Sequence, residues 1–155
     1  MSKALERFRK EAEALGLTPD VREFPAGTKT AQDAARAIGC DVAQIVKSLV
    51  FVAGTEPFLA LTSGPNRADT DRLSALMGGR PVRRADADEA RSATGFAIGG
   101  TPPFGHPRPL KVFCDRDLLA QKEVWAAAGT PNSVFPLTPE ELVRASGAEA
   151  ADFKE

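Results

Sequence analysis

VAQIVKSLVFVAGTEPFLAL, residues 42–61, holds two apolar runs, Leu49–Val52 and Phe58–Leu61, on either side of the turn Ala53–Glu56. Short runs rich in Val, Leu and Phe with a glycine between them read as paired strands, and a hairpin is the simplest connection. N-terminal to it, residues 3–15 place Leu5, Phe8, Ala12 and Leu15 on one face of a helix, with Ser2 as N-cap and Gly16 as stop. A short strand is expected at Val21–Phe24, a second helix from Thr30 to Ile38–Gly39, and a third, shorter one where Asp41 and Gln44 have capping spacing. C-terminal to the hairpin, helical patterns return at Thr70–Met77, ended by Gly78–Gly79, and at Asp86–Ala93, each closing a crossover. Strands follow near Leu110–Cys114, Val124–Ala127 and Ser133–Leu137, and Thr138, Pro139 and Glu141 open a last helix. The sum is an α+β (mixed α/β) fold with a central mixed β-sheet flanked by short helices. No repeat, low-complexity tract or linker interrupts it, so residues 1–155 read as one domain.

The composition, 43% hydrophobic and 26% charged, is that of a folded globular chain rather than a disordered one. No stretch approaches the roughly 20 apolar residues that cross a bilayer, and MSKALERFRK is charged where a signal peptide is apolar. The expected location is the cytoplasm, with no membrane partner. A formal net charge of −1 disfavours a protein that tracks along duplex DNA, whereas one gripping the end of an RNA stays possible. Basic residues cluster at Arg80, Arg83 and Arg84, which solvated surface charge explains, and again at His106, Arg108 and Lys111. Cys40 and Cys114 lack CxxC spacing and read as small packing residues, the alternative being a free nucleophilic thiol.

Three features could carry chemistry. Lys47 is the only charged residue between Asp41 and Glu56, and an ammonium in an apolar segment must lie on a solvated edge, snorkel from a helix end, or face a polar cavity. FAIGGTPPFGH, residues 96–106, joins paired glycines, which allow close backbone approach, to prolines, which stiffen it; it is either a tight turn or a loop whose N–H groups receive an oxyanion or ribose hydroxyl. His106 is the only histidine, so a histidine zinc site or a serine triad lacks material, and the residue is a surface group, a hydrogen-bonding prop or a lone acid–base. The acidic residues Asp33, Asp41, Asp86 and Glu141 sit at helix caps, and no carboxylate pair stands out.

Taken together, TAQDAARAIGCDVAQIVKSLVF, LTSGPNRADTDRLSALMG, TGFAIGGTPPFGH and VWAAAGTPNSVFPLTPEEL resemble the YbaK/prolyl-tRNA synthetase-associated editing domain family, over about residues 3 to 147. The specific parts are the lysine of the helix-to-strand apolar segment, Lys47, and a GxxxP loop, Gly99 to Pro103. The resemblance implies hydrolysis of the ester joining an amino acid to the terminal adenosine of tRNA, with no metal and no cofactor. It implies a catalytic set of Lys47, Gly99 and Gly100, in which Lys47 positions the terminal nucleotide or polarises the ester and the glycine N–H groups stabilise developing charge. Around the substrate it implies Thr28, Ser48, Thr101, Pro103, Gly105, His106, Ala127 and Gly129. The implied partners are the acceptor end of an aminoacyl-tRNA and an aminoacyl-tRNA synthetase.

One departure bears on the substrate. Where a cysteine-clearing branch carries Ser-Gly-Gly, this chain has Ala127, Ala128 and Gly129, which favours alanine or a similar small residue mischarged on tRNA for proline and leaves serine and threonine open. The rival function is a noncatalytic module that binds tRNA or a synthetase in the same cleft; a metal-dependent hydrolase is a third.

Overall fold

The computed structural model describes residues 2–24 and 30–155. In chain order its elements are α1 (Lys3–Ala14), β1 (Arg22–Glu23), α2 (Ala31–Ile38), a 3-10 turn at Val42–Gln44, β2 (Val46–Ala53), β3 (Glu56–Ser63), α3 (Thr70–Leu76), β4 (Val82–Arg84), α4 (Ala87–Thr94), β5 (Lys111–Asp115), α5 (Arg116–Leu119), β6 (Val124–Ala127), β7 (Ser133–Leu137), α6 (Pro139–Ser146) and β8 (Glu149–Ala151). The helix boundaries follow local chemistry. Ser2 Oγ accepts the Leu5 N–H at 3.0 Å, Thr30 caps α2, and reciprocal capping boxes open α4 (Asp86 with Glu89) and α6 (Thr138 with Glu141). The predicted third helix is the single 3-10 turn, at whose start the Asp41 N–H donates to Gln44 Oε1 at 2.9 Å.

The hairpin is the frame. β2 and β3 pair antiparallel from Val46↔Ser63 to Ala53↔Glu56, so both strands run further than their apolar runs suggest. Lys47 and Ser48 interrupt the apolar pattern without interrupting the strand, because pairing to β3 continues beneath them. The five-stranded sheet has the order β4-β2-β3-β5-β8, with β4 antiparallel to β2 and with β5 and β8 parallel to their neighbours. It is the expected central mixed sheet. The strands β4 and β8 and the helix α5 lie where no element was expected, and the later strands β6 and β7 leave the central sheet to form a second one, β1-β7-β6. One parallel bridge, Ile45↔Trp125, links the two sheets.

Side chains alternate along β2. Val46, Val50 and Val52 join the larger core, which also takes Leu5 and Phe8 of α1, Phe104 and Phe135; Phe51 and Ala53 join Phe58, Leu73, Phe113 and Phe153 on the other face. Phe8 lies between Phe104 and Phe135, with ring centroids 5.5 and 4.7 Å away, so the Gly99–Pro109 loop is anchored to α1 by an aromatic contact. Among the described residues no helix is long and apolar enough to cross a membrane.

Candidate active site

A cleft of about 580 Å³ opens at the seam between the two sheets, bounded by β2, the start of α2, the Gly64–Arg67 turn, Ile98–Gly99 and β6. Sites for small molecules and cofactors commonly fall in the range of about 300–1,000 Å³ and at such junctions.

Lys47 sits on β2 opposite Thr62 and is half-buried. It lies within a strand rather than at a helix end, and its side chain lines the cleft, so the cavity reading of its isolated charge is the one the structure matches. Its Nζ donates to the Asn66 carbonyl at 2.5 Å, and none of the salt bridges among the described residues includes it. Burial pushes its pKa below the ordinary lysine value, and the nearby Arg84 and Arg67 push the same way, with Asp115 opposing. Arg84, opposite Phe51 and with its guanidinium 5.5 Å from that ring centroid, shares the Lys47 face of the sheet. The Arg84 of the predicted surface cluster therefore belongs to the cleft wall, whereas Arg83 is spent on a bidentate pair with Glu89 at 2.7 and 2.8 Å.

The turn that holds Lys47 was not legible in the sequence. Asn66 donates through Nδ2 to Asp115 at 2.8 Å and to Asp117 at 2.7 Å, and Asp117 also takes Lys154 at 2.8 Å. The buried Asp115 carboxylate accepts the Ser63 N–H at 3.0 Å and caps α5. This carboxylate pair, absent from the sequence reading, therefore fixes the turn whose carbonyl receives Lys47. Gly64 is required there: a Cβ would stand 2.2 Å from the Val42 carbonyl oxygen.

Of the residues expected at the site, Lys47, Ser48, Gly99, Thr101 and Ala127 line the cleft. Thr28 lies outside the described residues. Gly100, Pro103, Gly105, His106 and Gly129 do not line it, for physical reasons that differ. The Gly100 N–H donates to the Ala97 carbonyl at 3.0 Å, and a Cβ there would press on Thr130 at 2.9 Å, so this glycine permits close loop packing and its N–H is engaged within the loop. Gly105 packs on Glu11 and Gly129 on the Ala4 carbonyl, both at positive φ, where α1 passes close. Pro103 is buried. Nε2 of His106 lies 2.9 Å from the Pro102 carbonyl, and burial lowers the histidine pKa, with that hydrogen bond and Glu11 opposing. His106 thus ties the loop to itself through the Pro102 carbonyl.

Both cysteines are free, and burial pushes the Cys114 thiol up to about 12, far from thiolate chemistry. Among the described residues no three His, Cys, Asp or Glu side chains group as metal ligands would.

The model of the family described as "aminoacyl-tRNA editing domain" matches residues 25–145. The chain belongs to that family. The matched segment contains every residue lining the cleft. Among relatives of this editing domain, the uncharacterized protein YwhH of Bacillus subtilis is 34% identical over 124 residues, covering 79% of this chain and 78% of its own. A proline–tRNA ligase of Streptococcus pyogenes is 29% identical over 127 residues, 82% of this chain but only 20% of the ligase, so the editing domain spans about a fifth of that enzyme. A crystal structure described as a candidate trans-editing enzyme for prolyl tRNA synthetase superposes with a TM-score of 0.94 at 48% identity, covering 100% of this chain and 99% of that one. The hypothetical protein APE2540 gives 0.87 at 32% identity, with 96% and 99% covered. The editing domain is thus related to those of prolyl-tRNA synthetases, and its mixed sheet with short helices is the fold of these neighbours.

Proposed function

We propose that this editing domain acts in trans as an aminoacyl-tRNA deacylase, hydrolysing the ester between a small, wrongly attached amino acid and the terminal adenosine of tRNA. The observation that carries the reading is Lys47: a half-buried ammonium, held by one carbonyl, bordering a cleft inside the family-matched segment. The likeness to proline–tRNA ligases and to the candidate trans-editing enzyme supports tRNA for proline as the carrier, with alanine the first amino acid to try and serine and threonine next.

An aminoacyl ester is an activated bond, so a site can act through orientation and electrostatics without a protein nucleophile. Lys47 is a cation fixed on a rigid strand, suited to orient the terminal nucleotide or polarise the ester while water attacks. The apolar residues Ile45, Val46 and Ala126 line part of the cleft, which suits a small side chain and agrees with a second sieve for small residues. Partners on this reading are the acceptor end of tRNA and a synthetase, in the cytoplasm, with one domain and no cofactor.

The test is turnover of a panel of mischarged tRNAs by wild type and Lys47→Ala, each with and without a chelator. Lys47→Ala is expected to lose about 100-fold or more in kcat/KM, as removal of one oriented transition-state donor does. Equal rates for the two proteins overturn the catalytic role. Stable tRNA or synthetase binding without cleavage makes the cleft a noncatalytic module, and loss of activity on chelation makes the enzyme metal-dependent.

A further inference from the structure

The outer edge of β2 is only partly used. Toward β3 the ladder is continuous over all eight residues, Val46 to Ala53. On the other side, β4 pairs only with Phe51–Ala53, the Ala85 N–H adds one bond to the Val50 carbonyl at 3.0 Å, and the next attachment is the bridge at Ile45. The N–H and C=O of one strand residue point to the same side, and successive residues alternate sides. The Ala85–Val50 bond therefore sets the phase, and the Gly54 N–H bond to Pro81 agrees with it: even-numbered residues aim at the outer edge. Ser48 presents both main-chain groups to the gap, where no ladder or bridge covers it among the described residues.

Its register shows what is missing. Val52 opposite Arg83 and Val50 opposite Ala85 continue to Ser48 opposite residue 87, but there the chain has turned into α4 under its Asp86 cap. Ser48 lines the cleft and is half-buried, yet its Oγ is sealed from solvent and has no hydrogen-bond partner. What Ser48 offers the cleft is main chain rather than hydroxyl.

Building on the deacylase reading, we propose that the main chain of Ser48 receives the amino acid. The aminoacyl group takes the vacated ladder position, its α-ammonium donating to the Ser48 carbonyl and its ester carbonyl oxygen accepting the Ser48 N–H. An α-aminoacyl ester carries donor and acceptor on the two atoms flanking one Cα, as a strand residue does, and opposed residues of an antiparallel pair exchange both bonds in this way. This is strand addition by a single residue. Opposed residues also share a face, so an L-amino acid directs its side chain toward Val46 and Val50, where Ala85, Ala90 and Ala126 leave space for a small group. The N–H lies on the oxygen that gains charge when water adds, so the strand supplies a donor that Gly100 does not.

Amide hydrogen exchange, read by NMR on the full chain, tests this with two amide-linked probes that resist hydrolysis: 3′-deoxy-3′-(L-alanylamino)adenosine and its propanoyl counterpart, which lacks only the amine. At saturation the alanyl probe is expected to slow exchange at the Ser48 N–H at least tenfold while leaving Lys47, whose N–H points to β3, unchanged. The propanoyl probe is expected to bind at least tenfold more weakly. Saturation without slowed exchange at Ser48, equal affinity of the two probes, or no binding of either at millimolar concentration overturns the assignment. None of these outcomes is the failure of the deacylase reading, which is decided by turnover of aminoacyl-tRNA.

Discussion

Lys47 stands where an apolar side chain would stabilise the fold better. Its ammonium is partly desolvated, has one carbonyl acceptor, and feels Arg84 and Arg67. Lys47→Met keeps the chain length and removes the charge, so its melting temperature is expected to equal or exceed the wild-type value by about 2 °C, the shift that less than 1 kcal/mol produces in a domain of this size, while deacylation is lost. The sign of the pH dependence follows from the lowered pKa. The cost of the cation is full below the folded pKa and fades as pH rises toward the unfolded value, so the stability gap between the two proteins should close on alkalinisation in thermal melts. His106 carries a separate expectation. Its folded pKa is lowered from 6.5, so its contribution is full above 6.5 and falls as pH drops through that value toward the folded one. His106→Ala should leave kcat near wild type, cost about 1–3 kcal/mol by stranding the Pro102 carbonyl, and flatten the decline in stability below pH 6.5 in denaturant titrations. A tenfold fall in kcat with unchanged stability would instead make the imidazole an acid–base group.

At the scale of elements, the chain was legible wherever a local rule dominates. The capped helices and the β2–β3 hairpin announce themselves by N-cap residues and apolar runs. The strands β4 and β8 have three residues each, too few for a period, and exist because a neighbouring strand offers an edge. For the same reason Lys47 stood out as an isolated charge, whereas Asn66 could not, since its role comes from Asp115 and Asp117, 49 and 51 residues away in the chain. The Gly64–Arg67 turn is the element on which both fold and site converge. Gly64→Ala would drive a Cβ to 2.2 Å from a backbone oxygen that no rotamer change can move. It is expected to destabilise by about 1–3 kcal/mol and, by shifting Asn66 under Lys47, to lower kcat/KM even at temperatures where the variant is fully folded. Chemical denaturation and single-turnover deacylation, measured on the same preparation, separate the two effects. Full activity per folded molecule would show that the turn does not position Lys47.

For the whole molecule, electrostatics bound how tRNA would be held on the proposed function. A chain of net charge −1 has no general attraction for a polyanion, so whatever phosphate contacts form must be local. The structure gathers Lys47, Arg67 and Arg84 around a hollow of about 600 Å³ adjoining the cleft, where Arg67 is paired with Glu155 at 3.9 Å, while Arg72, Arg80 and Arg83 are occupied by Asp152, Glu56 and Glu89. Two or three cations facing a single-stranded end imply a salt slope of about −1.4 to −2.1, since each neutralised phosphate of a single strand contributes roughly −0.7. Raising monovalent salt from about 50 to 200 mM should therefore weaken tRNA binding roughly tenfold, against the thousandfold or greater loss of proteins that track along a duplex. Arg84→Gln should reduce the slope by about 0.7 and weaken binding of correctly and wrongly charged tRNA alike, because a phosphate contact positions the end without reading the amino acid. Filter binding across a salt series, with Lys47 kept and the amino acid amide-linked to the tRNA so that it is not cleaved, measures both quantities. A steep slope would mean that the tRNA body is gripped by a surface beyond the cleft, and an unchanged slope in Arg84→Gln would remove that side chain from the path of the acceptor end.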